Sequence, residues 1–212
     1  MATLPADDQT PVRQRLSAED RRSAIIAAAR VLFSRNGFRG TGTSDIAAAA
    51  GCSEPVIYKH FASKQALFAA VLEDATRLMG ERFAAAAAEG GDLFTAYLRF
   101  VRKLMGDPKV AEVARLRYLA LTLSDDEQIR TSLSRMMSAW HDSVRAAVDT
   151  GQANGRIRSD ADVETVSMLF LGLGLAAGFV GAVDGEGALT CFPGHVDAFV
   201  DLLTPIQEGP HG

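Results

Sequence analysis

Three consecutive polar side chains in the first third of the chain have the chemistry of a phosphate-binding surface. Tyr58, Lys59 and His60 present a phenol, an ammonium group and an imidazole in succession. All three can donate hydrogen bonds to phosphate oxygens. The alternative is that Tyr58 is a buried packing residue, but its basic neighbours favour the phosphate interpretation.

These side chains end the second of two short predicted helices. Thr43 is predicted to cap a helix over 44–50, and Gly51 to turn the chain in the left-handed conformation. Ser53 is predicted to cap the second helix, which ends at His60, and Ser63 to cap a third helix. Two short helices joined by a tight glycine turn form a helix-turn-helix, whose second helix enters the major groove of DNA.

The distribution of charge is consistent with this interpretation. The whole chain has a formal net charge of -4. Residues 11–64 carry nine basic and four acidic side chains, so this segment is +5 and the remainder is -9. A positive segment on an acidic chain favours nucleic-acid binding by that segment.

The remaining patterns indicate helices throughout. Apolar residues recur at spacings of three and four, most clearly between Ile129 and Val148, and no segment shows a period of two. Ser124 and Glu127 form a capping-box pattern before this longest run. The sequence predicts an all-α fold of about nine helices, with an N-terminal helix-turn-helix head of three helices and a C-terminal helical body.

Composition and breakers divide the chain into four predicted parts. They are a flexible arm over 1–16, the head over 17–65, the body over 66–205 and a flexible tail over 206–212. The chain has 212 residues, 48% of them hydrophobic, which suits a soluble globular protein with a substantial core. Residues 1–16 lack the apolar stretch of a signal peptide, so we expect a cytoplasmic protein.

The sequence contains no residue pattern typical of a metal site or of an enzyme active site. Cys52 and Cys191 lie far apart, and none of the four histidines has a partner at metal-ligand spacing. Nucleophile-elbow, zinc-protease and phosphate-loop motifs do not occur in the sequence. The glycines of 172–178 faintly resemble a dinucleotide loop, but no strand precedes them. We therefore expect no enzyme activity, no metal and no cofactor.

One stretch could be mistaken for a membrane span. Residues 165–183 are uncharged and long enough to cross a bilayer. Gly174 and Gly178 form a pair that suits close helix packing in a membrane or in a protein core. Because glycines lower the hydrophobicity and no second span accompanies the stretch, we expect a buried helix and no membrane association.

From about Arg22 to Leu72 the sequence resembles the DNA-binding head of the tetracycline-repressor (TetR) family of bacterial regulators. The matching segments are AAARVLFSRNGF and TSDIAAAAGCSEPVIYKHFASKQALF. The resemblance implies an all-helical homodimer with two heads, a divergent body that binds a small molecule, and usually repression. It also implies that the last two helices, about 161–184 and 194–204, build the dimer interface.

The resemblance assigns the DNA contacts to the two short helices and the start of the next one. The predicted DNA-binding residues are Thr43, Ser44, Ser53, Glu54, Pro55, Val56, Tyr58, Lys59, His60 and Lys64. Glu54, Pro55 and Val56 fall at base-reading positions, and most of the others fall at the phosphate backbone. Glu54 either accepts a hydrogen bond from cytosine N4 or is simply a helix N-terminal charge that touches no base.

The body helices that line the effector pocket in this family carry aromatic, sulfur-containing and basic residues here. The predicted ligand-binding residues are Tyr97, Arg117, Tyr118, Met137, Trp140, His141, Met168 and Phe170. The alternative for each is an ordinary core position. Arg117 interrupts an apolar stripe, so it either pairs with an acidic side chain or binds an anionic ligand.

Taken with these patterns, the resemblance implies a ligand-responsive transcriptional repressor. It would bind a palindromic operator as a homodimer and be released by a small apolar or amphipathic effector. An activator would use the same head. The alternative from another class is a helical small-molecule sensor or enzyme whose head does not read DNA specifically.

Overall fold

Helices account for nearly all of the chain that the computed structural model describes, which is residues 17–104, 108–184 and 192–205. These ranges hold nine helices and no strand, which confirms the predicted all-α fold. The helices are α1 (Ala18–Asn36), α2 (Thr43–Ala49), α3 (Glu54–His60), α4 (Lys64–Ala88), α5 (Leu93–Leu104), α6 (Pro108–Leu121), α7 (Glu127–Ala153), α8 (Val163–Asp184) and α9 (Phe192–Leu203). The predicted arm and tail, 1–16 and 206–212, lie outside the described residues.

The head is held together by an aromatic cluster. The rings of Phe33, Phe38 and Phe68 contact one another at centroid distances between 5.1 and 5.6 Å. Ile46 of α2 and Ile57 of α3 are fully buried in the same core. Because each short helix contributes an apolar anchor to this core, neither has to be stable alone.

Two predicted helix starts are wrong. The residue before α2 is Gly42, whose backbone N–H donates to the Asp45 side chain. Thr43, the predicted cap, is already the first residue of the helix. α7 is capped by Asp126, which accepts from the backbone of Gln128 and Ile129. Asp caps a helix as well as Ser does, and Asp126 stands directly before the first residue of α7. The predicted capping box with Ser124 therefore does not form. The predicted cap at Ser63 is confirmed, since its hydroxyl accepts from Ala66 N.

The head and the body share a helix and a core. α4 runs without a break from the head into the body, so the predicted boundary after residue 65 falls in its first turn. α6 packs against α1 on one side and against α8 on the other. Leu116 and Val113 of α6 are buried in the same core as the head helices. α6 therefore contacts both the head and the body.

The apolar helix α8 packs closely within the body. Residues 163–181 have a mean hydropathy of 1.8, enough by length and composition to cross a membrane. However, a Cβ at Gly174 would lie 2.5 Å from Cζ2 of Trp140, and one at Gly178 would lie 2.8 Å from Nη2 of Arg117. The glycines thus allow one face of α8 to approach α6 and α7. Only 28% of residues 163–181 is buried, so the predicted buried helix is found on that face alone.

Candidate nucleic-acid interface and effector site

The turn between α2 and α3 is built from a glycine and braced by an arginine of α1. Gly51 has a φ of +64°, the left-handed conformation predicted for it. Nη1 of Arg21 donates to the carbonyl oxygens of Ala50 and Gly51, both at 3.2 Å. Arg21 could not be predicted from local sequence, because its hydrogen-bond partners lie about thirty residues away.

α3 buries one face and presents the other. Ile57 and Phe61 are buried in the head core, which fixes the rotation of the helix. Ser53, Glu54, Pro55, Tyr58 and Lys59 are exposed, and Val56 is half-buried. Ser53 stands at the predicted cap position, but its side chain makes no capping hydrogen bond. The predicted base-reading and backbone-binding residues thus largely share one solvent-facing surface.

A hydrogen-bonded group of three side chains links α2 to α3. The Thr43 hydroxyl donates to Oε1 of Glu54, and it lies 3.4 Å from the Tyr58 hydroxyl. Thr43 is buried, so it acts here as a tether between the two helices and not as a helix cap. The tether holds the Glu54 carboxylate at the first turn of α3, where the helix dipole favours a negative charge.

The other predicted DNA contacts flank this surface. Ser44 is exposed at the start of α2, and His60 is half-buried, 6.4 Å from the ring of Phe61. Nζ of Lys64 lies 4.5 Å above the ring of Phe38. Partial burial lowers the pKa of the Lys64 ammonium. Lys64 is therefore held against the head, whereas Tyr58 and Lys59 extend into solvent.

Five of the eight predicted ligand-binding residues form a continuous series of contacts through the body. Tyr97 and Phe170 meet edge to face at 5.7 Å, and the Trp140 side chain hydrogen-bonds to Tyr97. The Arg117 guanidinium lies 5.0 Å from the Trp140 ring and 5.4 Å from the Tyr118 ring. Burial raises the pKa of the Tyr97 phenol, and the Trp140 hydrogen bond opposes that rise.

Arg117 is the unusual member of this series. Burial lowers the pKa of its guanidinium, and the hydrogen bond to Tyr118 partly opposes that effect. The Tyr118 hydroxyl in turn donates to the carbonyl oxygen of Leu175 at 2.6 Å. Within the described part of the chain, no carboxylate lies within 4 Å of Arg117. An arginine nevertheless stays charged at neutral pH, so the body contains an uncompensated positive charge.

The remaining three predicted ligand-binding residues lie apart from this series. His141 follows Trp140 but turns toward α8, where its Nε2 is 3.1 Å from Oε1 of Glu164. Met137 is half-buried one turn earlier on α7. Met168 is half-exposed on the outer face of α8. Among the described residues, no group of three His, Cys, Asp or Glu side chains is placed to hold a metal ion.

Comparisons with known proteins match both parts of the chain. The family model for bacterial regulatory proteins of the tetR family matches residues 25–71, and the model for the tetracyclin repressor-like C-terminal domain matches residues 124–188. The transcriptional activator FasR of Mycolicibacterium smegmatis is 42% identical over 59 residues, which are 28% of this chain and 27% of FasR. The transcriptional repressor AcnR of Corynebacterium efficiens is 26% identical over 149 residues, 69% of this chain and 74% of AcnR.

Solved structures share most of the fold. A TetR transcriptional regulator from Chloroflexus aurantiacus is 26% identical with a TM-score of 0.72, covering 87% of this chain and 96% of that one. A regulator from Saccharomonospora viridis in complex with choline is 22% identical with a TM-score of 0.78, covering 86% of this chain and 96% of that one. With head and body each matched and the helical architecture shared, the chain belongs to the TetR family of bacterial transcriptional regulators.

Proposed function

We propose that this regulator is a repressor that binds a palindromic operator as a homodimer and is released by a small molecule bound in its body. The observation that carries the DNA part is the exposed face of α3. Tyr58 and Lys59 extend from it while Ile57 holds it to the head core. In the dimer two such faces would enter successive major grooves, about 34–36 Å apart.

The dimer is proposed to form through α8 and α9. Four large apolar side chains of α8 are exposed at helical spacing, namely Met168, Leu169, Phe179 and Val183. Leu202 of α9 is exposed as well. Exposed apolar residues that repeat along one face mark a surface that is covered by a partner, and a second copy would cover both helices by symmetry.

Release requires that the effector change the relation of head to body. Glu112 of α6 is paired with Arg30 of α1, so a ligand that moves α6 also moves the head. A coupling free energy of about 1–3 kcal/mol is enough to change operator occupancy substantially. This coupling is reciprocal, so operator DNA must weaken effector binding by the same factor.

The body favours an effector that is not a cation. The Saccharomonospora viridis regulator binds choline, a quaternary ammonium compound. Aromatic faces commonly recognise such ligands, but in this chain the Arg117 guanidinium already lies against Trp140 and Tyr118. A second positive charge there would be repelled. We therefore propose a neutral or anionic apolar ligand, and a cytoplasmic location for the protein.

Fluorescence anisotropy on DNA from upstream of the gene tests the DNA part of the proposal. Tight binding that survives random competitor DNA, with log affinity falling linearly against log salt concentration, is the expected result. Binding that any competitor abolishes equally would contradict it. The alternative, a helical sensor or enzyme with a head that does not read DNA, would then be favoured. A transcription assay on the same DNA separates a repressor from an activator.

A further inference from the structure

The most unusual electrostatic feature of the body is the guanidinium of Arg117, a half-buried residue. Its Nε is buried and has no hydrogen-bond partner. An ion pair with a carboxylate would be the usual compensation, and the described residues provide none. A guanidinium carries five N–H donors, and among the described residues Tyr118 is the side chain that hydrogen-bonds to it. Donors therefore remain available for an acceptor that is not part of this chain.

The surroundings hold the guanidinium in place without neutralising it. It lies 5.0 Å from the Trp140 ring, and Tyr118 is fixed by its own bond to the carbonyl oxygen of Leu175. A Cβ at residue 178 would lie 2.8 Å from Nη2 of Arg117, so any larger residue there would displace the guanidinium from its present position. The faces of aromatic rings attract a cation, but they supply no hydrogen-bond acceptor in the plane of the guanidinium. The buried Nε of the guanidinium stays without a hydrogen-bond partner.

We propose that Arg117 is the anchor of a site for an amphipathic anion, a carboxylate carried on an apolar body. The carboxylate would accept two parallel N–H bonds from the guanidinium, the geometry that arginine favours. The apolar part would pack beside Trp140 and Tyr118. The anion would supply the negative charge that balances the Arg117 guanidinium. This would explain why an arginine occurs within the apolar stripe of α6.

This inference deepens the effector part of the proposed function and rests on it. α6 carries both Arg117 and Glu112, and Glu112 is the residue that pairs with Arg30 of the head. A carboxylate that pulls on Arg117 acts on the helix that holds α1. The proposed site thus lies where binding can be transmitted to the head through a single helix.

The protein contains its own reporter for this site. Trp140 is the only tryptophan in the chain, and the guanidinium lies against its ring. The experiment titrates the DNA-free protein at neutral pH with straight-chain carboxylates from butanoate to decanoate, each below its micelle concentration. The primary amides and the alkyltrimethylammonium ions of the same chain lengths serve as charge controls.

We expect a saturable change in Trp140 fluorescence with at least one carboxylate. The amide of the same length should bind about tenfold more weakly, because it lacks the charge that strengthens the hydrogen bonds. Arg117→Gln should lose about the same factor, and Arg117→Lys should lose less. The matched control is Arg115→Gln, which removes an exposed arginine from the same helix and should leave binding unchanged.

Three results would overturn the proposal. They are no saturable response to any carboxylate, equal binding of amide and carboxylate, and wild-type affinity in Arg117→Gln. Circular dichroism verifies that the variants fold. If Arg117→Gln does not fold, Gly178→Ala keeps the charge but displaces the guanidinium, and it should weaken carboxylate binding.

Failure of this proposal and failure of the proposed function are separable. The fluorescence titration contains no DNA, so it reports the site whether or not the head reads an operator. The carboxylate that binds best is then added to the protein–DNA complex and followed by anisotropy. Binding without release would support the Arg117 site and reject its role in effector control.

Discussion

Arg30 of α1 and Glu112 of α6 form an ion pair across the junction of head and body. Both side chains are largely buried, with exposed fractions of 13% and 17%. Asp74 of α4 adds a second carboxylate, 3.8 Å from Nε of Arg30. One arginine therefore connects the first helix of the head to two helices that extend into the body. These residues are far apart in sequence, so the connection exists only in the folded chain.

Removing the negative charge of Glu112 should destabilise the protein. In Glu112→Gln the Arg30 guanidinium loses its nearest carboxylate while staying largely buried. Because Asp74 remains, we expect the free energy of unfolding to fall by about 1–3 kcal/mol, less than for a buried charge left without any partner. Urea unfolding followed by circular dichroism measures this change.

An exposed ion pair supplies the matched control for Glu112. Arg77 and Glu81 pair on the surface of α4, with exposed fractions of 60% and 58%. Glu81→Gln makes the same chemical change in solvent, and we expect no resolvable loss of stability. Equal losses in the two variants would mean that the Arg30 pair contributes no more than a surface pair, and the junction would then depend on apolar packing alone.

The backbone-binding roles of α3 predict two distinguishable effects on operator affinity. Lys59→Ala removes a charge, so the slope of log affinity against log salt concentration should become shallower by about 0.9 for each head. Tyr58→Phe removes a hydroxyl but no charge, so affinity should fall about tenfold with the slope unchanged. Anisotropy titrations at several salt concentrations measure both quantities.

The control for these variants is an exposed arginine of the body. Arg145→Ala removes a positive charge from α7, far along the chain from the head, and should change neither affinity nor slope. If Lys59→Ala leaves the slope unchanged, Lys59 does not neutralise a phosphate. If Tyr58→Phe binds as the wild type does, the Tyr58 hydroxyl serves only its local contact with Thr43.

Glu54 is expected to tune affinity without reading bases. Its carboxylate accepts a hydrogen bond from Thr43, which favours the interpretation as a helix N-terminal charge over contact with cytosine N4. Glu54→Gln keeps the acceptor oxygen and removes repulsion from phosphates. We expect operator and random DNA to bind more tightly by similar factors. A selective loss of operator affinity, about tenfold or more, would instead assign Glu54 to base readout.

The head could be predicted from sequence because its determinants are local. The Gly51 turn and the Ser63 cap each depend on residues within a few positions, and both are found as predicted. Thr43 shows the limit of this reasoning. A threonine before a helix suggests a cap, yet its hydroxyl is taken by Glu54, eleven residues later, on a different helix.

The body was less predictable because its contacts join distant segments. The sequence marked Tyr97, Arg117 and Trp140 as candidate ligand-binding residues. It could not predict that Trp140 would contact both of the others. Periodicity could not reveal that Arg30 links the head to the body, because its partners Asp74 and Glu112 lie far from it in sequence. Aromatic and basic residues on amphipathic helices look alike whether they fill a core or surround a buried charge, and only the packing of α6, α7 and α8 separates these cases.

The start of α5 predicts a dependence of stability on pH. Asp92 accepts from the backbone N–H of Thr95 at 2.7 Å and lies 3.4 Å from Nε of Arg156. The Thr95 backbone bond, more than the Arg156 charge, lowers the pKa of Asp92 below its ordinary value of 3.8. The charged form is thus favoured by folding. Its contribution is complete above that ordinary pKa and disappears as pH falls through the lowered one.

Comparison of the wild type with Asp92→Asn tests this dependence. Asparagine keeps a capping oxygen but cannot ionise. The wild type should lose more unfolding free energy than the variant between about pH 5 and pH 2.5, as measured by urea unfolding at constant ionic strength. Parallel losses in the two proteins would show that the Asp92 charge contributes nothing to the fold.

A charge placed on the outer face of α8 should separate the proposed dimer. The Phe179 side chain is 58% exposed and packs edge to face against Tyr118. In Phe179→Asp two symmetry-related carboxylates would replace apolar side chains at the proposed interface, so we expect the dimer dissociation constant to rise by about 100-fold or more. Sedimentation equilibrium measures it, and operator affinity should fall in parallel because a single head contacts one half-site.

Ala85 of α4 offers a matched position for the same charge. Ala85→Asp places a carboxylate on an exposed helix surface outside α8 and α9, and it should leave both the dimer and operator affinity intact. Circular dichroism of both variants must retain the wild-type helix content. A dimeric Phe179→Asp protein would place the interface elsewhere. The exposed apolar residues of α8 would then need a different partner.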